Sequence, residues 1–255
     1  YSGSYPVTPV HWWKIDEGTG ATAAIEDYGT GTDADGTGAG LAWVNGTLAI
    51  DNKLTIDTTG VVSAPRGNLT VSGGSGADAF DNNGTVPATS FVHNNGTVLV
   101  EPTDASGCDV EGSNTNNGTV FYNLTTASGS TTNIVNLKEK MVIENHLDSN
   151  AKTRPIGEIY HGKTTATTIA EGGTVNTGTY FQIFGGKLIG LSTIYPCVYT
   201  GSINYEAASN FELSNLDWSA FSWSTTSATN KTGTLEGDMK FGAVTVSSGD
   251  TLDLN

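Results

Sequence analysis

Short apolar alternations broken by Gly, Asn and Thr turns run through most of the chain. Leu54-Thr55-Ile56 and Val61-Val62-Ser63 flank a turn at Gly60, and Asn68-Leu69-Thr70-Val71-Ser72 follows. Near the end, Thr245-Val246 and Thr251-Leu252-Asp253-Leu254 flank a Gly249-Asp250 turn. Alternation with period two, bounded by turn formers, predicts strands. One phrase recurs: Asn83-Gly84-Thr85-Val86, Asn95-Gly96-Thr97-Val98 and Asn117-Gly118-Thr119-Val120, with Asn45-Gly46-Thr47-Leu48 as a looser copy. Asn and Gly both tolerate positive φ, so each copy predicts a turn whose Thr-Val then enters a strand. Spacings of roughly one to two dozen residues suggest stacked coils, none of which would be stable alone.

The middle of the chain extends this pattern. Between Ile134 and Leu147, Val135-Asn136-Leu137 and Met141-Val142-Ile143 read as two strands around a charged turn, in preference to a short helix. Tyr180-Phe181-Gln182-Ile183-Phe184 and Lys187-Leu188-Ile189-Gly190-Leu191 flank Gly185-Gly186, a hairpin or a coil corner. Leu216, Trp218, Phe221 and Trp223 read as a wide coil packed with large side chains rather than a ligand platform.

The fold class expected is therefore all-β: a parallel β-helix-like solenoid, with a jelly-roll β-sandwich as the alternative. Coils of ~20–25 residues would give about ten, and stacking at ~4.8 Å would make a rod on the order of 50 Å long. Asn or Thr ladders would reinforce the backbone bonds between coils. Residues 1–44 differ in style and are expected to be a separate opening strand and loop or cap, with the repeats filling 45–255. Because Thr251–Asn255 ends in a strand pattern without a capping sequence, the repeats are expected to continue beyond it.

Charge narrows the function. The 255 residues carry 11 Lys and Arg against 26 Asp and Glu, a formal net charge of −15. Nucleic-acid binding needs arrayed Lys and Arg, so that partner is not expected, and neither is an anionic membrane. No ~18-residue apolar run suits a bilayer. Cys108 and Cys197 are too far apart in sequence for a metal motif; they are either one disulfide or two buried thiols.

Candidate chemistry is sparse. Asp33-Ala34-Asp35-Gly36 imitates the start of a calcium loop, and Asp33, Asp35 and Asp27 are the metal candidates. The Glu that closes an EF-hand is missing, and no other cofactor is expected. His11, His93, His146 and His161 fall in no metal spacing. Glycoside hydrolysis needs two acids ~5–9.5 Å apart. Glu101, Asp104, Asp109 and Glu111 gather around Cys108, but nothing selects a catalytic pair among them. No catalytic residue is expected.

At the amino end, His11-Trp12-Trp13-Lys14-Ile15-Asp16-Glu17-Gly18-Thr19-Gly20 precedes Asp27-Tyr28-Gly29-Thr30-Gly31. This stretch, residues 11–37, resembles the opening strand and first loop of laminin-G-like, concanavalin-type jelly rolls. From Ile50 onward, Leu54-Thr55-Ile56, Phe91-Val92-His93-Asn94-Asn95-Gly96-Thr97-Val98 and Phe121-Tyr122-Asn123-Leu124-Thr125 resemble repetitive β-solenoid surface and virion proteins of marine phages and bacteria. That resemblance implies a non-enzymatic structural protein of a virus particle, a phage head decoration or fibre, on the virion surface or otherwise extracellular. Its partners would be virion proteins or cell-surface glycans, and it would act as a homo-oligomer. The alternatives are a secreted or cell-surface bacterial adhesin segment and a carbohydrate-binding or polysaccharide-cleaving domain. In the last, Trp12, Trp13, Trp218 or Trp223 would be the stacking platforms.

Overall fold

The computed structural model describes residues 46–113, 118–127, 132–177, 181–201, 203–205, 209–225 and 231–255, together with three short strands nearer the amino end. Tyr1–Ala42 and Trp43–Asn255 are separate compact units. In the first, Trp13–Lys14 pairs antiparallel with Ala24–Asp27, which pairs antiparallel with Gly36–Thr37.

The second unit is a parallel β-solenoid whose rungs present three faces. One face stacks Leu48–Ile50, Asn68–Gly73, Thr97–Pro102, residues 123–126, residues 146–149, Thr174–Asn176, Cys197–Thr200, residues 216–218 and residues 239–241. Nine rungs at ~4.8 Å per step give a stack of about 40 Å. A second face, here the ladder face, stacks residues 119–121, 140–143, Glu158–His161, Gly186–Gly190, 211–214, 232–235 and Thr251–Leu254. Val62–Ser63 and Phe91–Val92 pair below them. The third, acidic face runs Leu54–Ile56, Asp78–Asn82, Cys108–Glu111, Ile134–Lys138, Lys152–Pro155, Phe181–Ile183 and Ile203–Tyr205. Every pairing among the described residues of this unit is parallel.

Alternation along each strand sends one set of side chains into a continuous core. Phe80, Phe91 and Phe121, all fully buried, meet at centroid distances of 5.1 to 5.5 Å. Higher up, Tyr199 packs between Phe181, His161 and Trp218, and Trp218 packs on Phe241. Polar ladders run outside. Asn123 donates to Thr97 Oγ1 at 3.2 Å, Asn145 to Asn123 at 2.7 Å, and Asn176 to Asp148 at 3.0 Å.

The expected strands at 134–147 are present as Ile134–Lys138 and Lys140–Ser149, with Glu139 at φ +60° between them. Gly185-Gly186 is a coil corner: Phe181–Ile183 lies on the acidic face and Gly186–Gly190 on the ladder face. A Cβ on Gly186, at φ +69°, would sit 2.2 Å from the Gly157 carbonyl oxygen one rung below. Two expectations need correction. The rung is not regular: the step is 18 residues from Met141 to Ile159 and 29 from Ile159 to Leu188, because corners absorb excursions. And Thr85-Val86 does not enter a strand. Pro87 follows it, and with its fixed φ and missing N–H it opens one helical turn, Pro87–Ser90.

Candidate functional site

The ladder face carries a groove of about 430 Å³. Its floor comes from outward positions on three consecutive rungs: Val120 pairs with Val142, and Val142 with Tyr160. These are half-buried, while their neighbours Phe121, Met141, Ile143 and Ile159 point into the core. One wall is Ala88 on the Pro87–Ser90 turn; another is Lys163, Thr164 and Thr165, which open the excursion between His161 and Thr174. That excursion leaves the rung at Gly162, whose φ of +76° is open to glycine.

Polar groups converge on this floor. Lys140 Nζ lies over the Tyr160 ring, 5.2 Å from its centroid, close enough for a cation–π contact. The Tyr160 hydroxyl donates to Glu158 at 3.0 Å. Burial, and then that bond to a carboxylate, raise the Tyr160 hydroxyl above its ordinary pKa. Glu144 lies 3.7 Å from His93 Nε2 and 4.0 Å from Lys163 Nζ. Burial lowers the His93 pKa, Lys163 adds to that, and the Glu144 charge opposes it. His93 stacks on Tyr122 at 5.7 Å. Beside the groove runs a row of alternating charge, Lys140, Glu158, Lys187 and Glu212, each in register with the next. Lys187 is 2.9 Å from Glu212 and 3.9 Å from Glu158.

The acidic face holds the other concentration of chemistry. Asp78 pairs in register with Asp109, and Asp81 with Glu111. Asp78, Asp81 and Glu111 have carboxylate oxygens within 4.8 Å of one another. Two lysines hold the block. Lys53 lies 2.7 Å from both Asp78 and Asp81; burial would lower its pKa, but these hydrogen bonds and charges outweigh that and raise it to about 12. Lys138 pairs with Asp109 and lies 3.6 Å from Glu111. Burial and the charge of Asp78 raise the Glu111 pKa against the opposing effect of Lys138.

Of the acids around Cys108, Asp109 and Glu111 thus join this block. Asp104 instead accepts from the backbone N–H groups of Ser75 and Gly107, as a turn residue. Glu101 is exposed on another face. Among the calcium candidates, Asp33 and Asp35 lie outside the described residues; Asp27 ends a described strand, with its side chain outside them. Of the tryptophans, Trp12 and the side chains of Trp13 and Trp223 lie outside them too. Trp218 is fully buried against Tyr199 and Phe241, so as a sugar-stacking platform it is ruled out. Cys108 and Cys197 are free, buried thiols. Burial pushes the Cys108 pKa up to about 12 and raises that of Cys197 as well, which leaves both unreactive.

The groove residues Tyr160, Glu144 and Lys163 were not singled out by sequence. Their convergence depends on rung steps of unequal length, which no fixed period reveals.

Fold and site together define a three-faced parallel β-solenoid with a grooved, charge-laddered face. No protein-family model, curated protein or solved structure matches the chain. No helix among the described residues is long and apolar enough to cross a membrane.

Proposed function

We propose that the chain is a non-catalytic structural segment of a virus particle, a stiff β rod serving as a phage head decoration or fibre. The observation that carries this reading is the continuity of the solenoid. Strands from Leu48 to Leu254 are paired rung on rung over one core, so backbone hydrogen bonds run along the axis and oppose bending and proteolysis. Such a body suits projection or cementing better than catalysis. Among the described residues the carboxylate lining the groove is Glu144, whereas two-acid glycoside chemistry needs a second across the cleft. The clustered acids of the other face lie in a lysine-clamped ladder.

The reading includes a homo-oligomer, a location on the virion surface or otherwise outside the cell, and a laminin-G-like opening over residues 11–37. Its test is peptide mass spectrometry on density-purified virus particles beside a host cell-surface fraction. Peptides of this chain are expected in constant ratio to the major capsid protein. Peptides confined to the cell-surface fraction would replace the virion reading with that of a bacterial adhesin.

A further inference from the structure

We infer that the groove on the ladder face, with the apolar tip beside it, is the surface on which a second copy of this chain docks. The inference rests on the homo-oligomer part of the reading above and deepens it by naming the contact. It holds for a virion rod and a cell-surface rod alike.

The tip comes from two excursions at one corner. Residues 162–173 leave the solenoid after His161, and residues 191–196 leave the next rung after Gly190. The two excursions lie against each other: a Cβ on Gly172 would run into the Tyr195 carbonyl oxygen. Their outermost large apolar residues are Ile169, 66% exposed, and Ile194, 74% exposed. The turn that carries Ile194 is braced. The buried Ser192 hydroxyl accepts from the N–H groups of Ile194 at 3.2 Å and of Tyr195 at 3.0 Å, and Pro196 fixes the return to the rung. A main chain already held in place loses little freedom on contact, which favours association.

The groove is suited to receive such a tip. Its floor, Val120, Val142 and Tyr160, is half-buried, and Leu191, where the second excursion starts, is part of its lining. Apolar surface therefore continues from the groove to the tip, and patches of this kind mark interaction sites. At about 430 Å³ the groove is in the range that encloses small ligands, roughly 300–1,000 Å³, and has room for Ile194 of a second copy. A small ligand in the groove would leave the tip in water. Tip and groove side by side make the surface self-complementary: about a two-fold axis, each copy places its tip in the other's groove.

Charge identifies the occupant. With a net charge of −15, two copies repel over most of their surface. Across the groove and both excursions the charged residues are Lys140 and Lys163 against Glu144 and Glu171, an even balance. The cations are matched locally, with Lys140 in register with Glu158 and Lys163 at 4.0 Å from Glu144. Such a patch selects neither an anionic nor a cationic partner. It is a place where a second acidic body can approach without repulsion, whereas the acidic face would set Asp78, Asp81 and Glu111 of two copies against one another.

The test is sedimentation velocity on the full chain over a range of concentrations, at low and at high salt. A dimer is expected, tighter at high salt, because screening weakens the repulsion between two acidic bodies while an apolar contact persists. Ile194→Asp changes an exposed side chain and leaves the main-chain bonds to Ser192 in place, and it should weaken the dimer by about tenfold or more. Ala88→Trp, on the exposed wall, fills the groove and should do the same. Ile194→Leu should keep the dimer, with circular dichroism confirming that all three variants fold. A chain that stays monomeric at every concentration and salt would overturn the proposal and the homo-oligomer reading together. An oligomer that survives either disruptive substitution, or one with an odd number of copies, would overturn this contact alone and leave the homo-oligomer standing.

Discussion

Two faces of this solenoid use the same ladder geometry and reach opposite electrostatics. On the ladder face Lys140, Glu158, Lys187 and Glu212 alternate in sign from rung to rung. On the acidic face Asp78 is stacked on Asp109, and Asp81 on Glu111, like on like, with Lys53 and Lys138 closing the block. In-register neighbours stand close enough to attract or repel by a fraction of a kcal/mol, and like charges placed directly opposite one another destabilise. A parallel rung thus offers no neutral arrangement of charge. The ladder face is self-satisfying, and the acidic face depends on two lysines. On the acidic face the cations stand on the flanking rungs: Lys53 just before the strand that pairs below Asp78–Asn82, and Lys138 in register with Glu111 on the rung above.

The largest expected effect comes from the core and must be removed before the faces are compared in acid. His161 is fully buried, accepts or donates a hydrogen bond to the Tyr199 hydroxyl at 3.0 Å, and has its pKa pushed by burial down to about 3. The unfolded chain holds that imidazole near its ordinary 6.5 and therefore binds the extra proton first. Stability is whole above about pH 6.5 and is lost as pH falls towards 3, by up to about 5 kcal/mol. His161→Gln keeps a hydrogen-bonding partner for Tyr199 and cannot titrate, so urea midpoints measured from pH 7 to pH 3.5 should fall less steeply than in the parent chain. Equal slopes would show that His161 is not the acid-sensitive element.

With that baseline set, Lys138→Met breaks the acidic face at its most buried pair. The Asp109 side chain is only 6% exposed, and it keeps the Asn136 amide, which donates at 2.7 Å, but loses its cation. Breaking a buried ion pair costs about 3–5 kcal/mol. Because the lysine itself is partly solvated, a loss of about 2 kcal/mol is expected, read from denaturant unfolding. A loss under half a kcal/mol would mean that water, and not Lys138, satisfies Asp109.

Much of the comparison could not be seen in the sequence. Alternation at Leu54-Thr55-Ile56, Met141-Val142-Ile143 and Lys187-Leu188-Ile189 was legible, because period two survives wherever one side chain in two is buried. The Gly185-Gly186 corner was legible as a break but not as a change of face, since a hairpin and a corner use the same residues. Pairing across rungs was not legible at all. Lys140 meets Glu158 after 18 residues, Glu158 meets Lys187 after 29, and Lys187 meets Glu212 after 25. Excursions such as the one between His161 and Thr174 set these steps, and their length is free because they run over the surface. Trp218 was legible as a packed side chain of a wide coil, and the core takes it; the half-buried aromatic of the groove, Tyr160, and Lys163 near it were not.

Lys187→Glu turns one face into the other. It places three carboxylates in register where Glu158, Lys187 and Glu212 now alternate. The site is exposed, so the expected loss is about 1 kcal/mol at low salt. Added salt should recover most of it, since screening weakens exposed repulsion. In the parent, Lys187 is raised above its ordinary pKa chiefly by its hydrogen bond to Glu212. That contribution is whole below about pH 10.5 and disappears as pH rises through the folded value. A variant as stable as the parent at low salt would show that charge order along this row is not under energetic constraint.

The smallest effect is the most discriminating, because it should be a gain. The raised pKa of Glu111 means that the folded chain holds this carboxylate in its charged form at a cost, set by burial and by Asp78. Glu111→Gln keeps the shape and removes the charge, at the expense of a 3.6 Å contact with Lys138. Lys138 retains Asp109, so the net change at neutral pH should be a stabilisation of a few tenths of a kcal/mol. The sign of its pH dependence follows from linkage. Between the ordinary carboxylate value near 4.5 and the raised folded value, the folded parent binds more protons than the unfolded chain, so its stability rises as pH falls through that window. The advantage of the variant must therefore shrink as pH is lowered and vanish below about 4.5. Unfolding at pH 7, 5.5 and 4 tests this, and with His161→Gln as background the core contributes no slope of its own. A variant less stable than its background at pH 7 would mean that the Lys138 contact outweighs the repulsion, and that the acidic face, like the ladder face, is balanced as it stands.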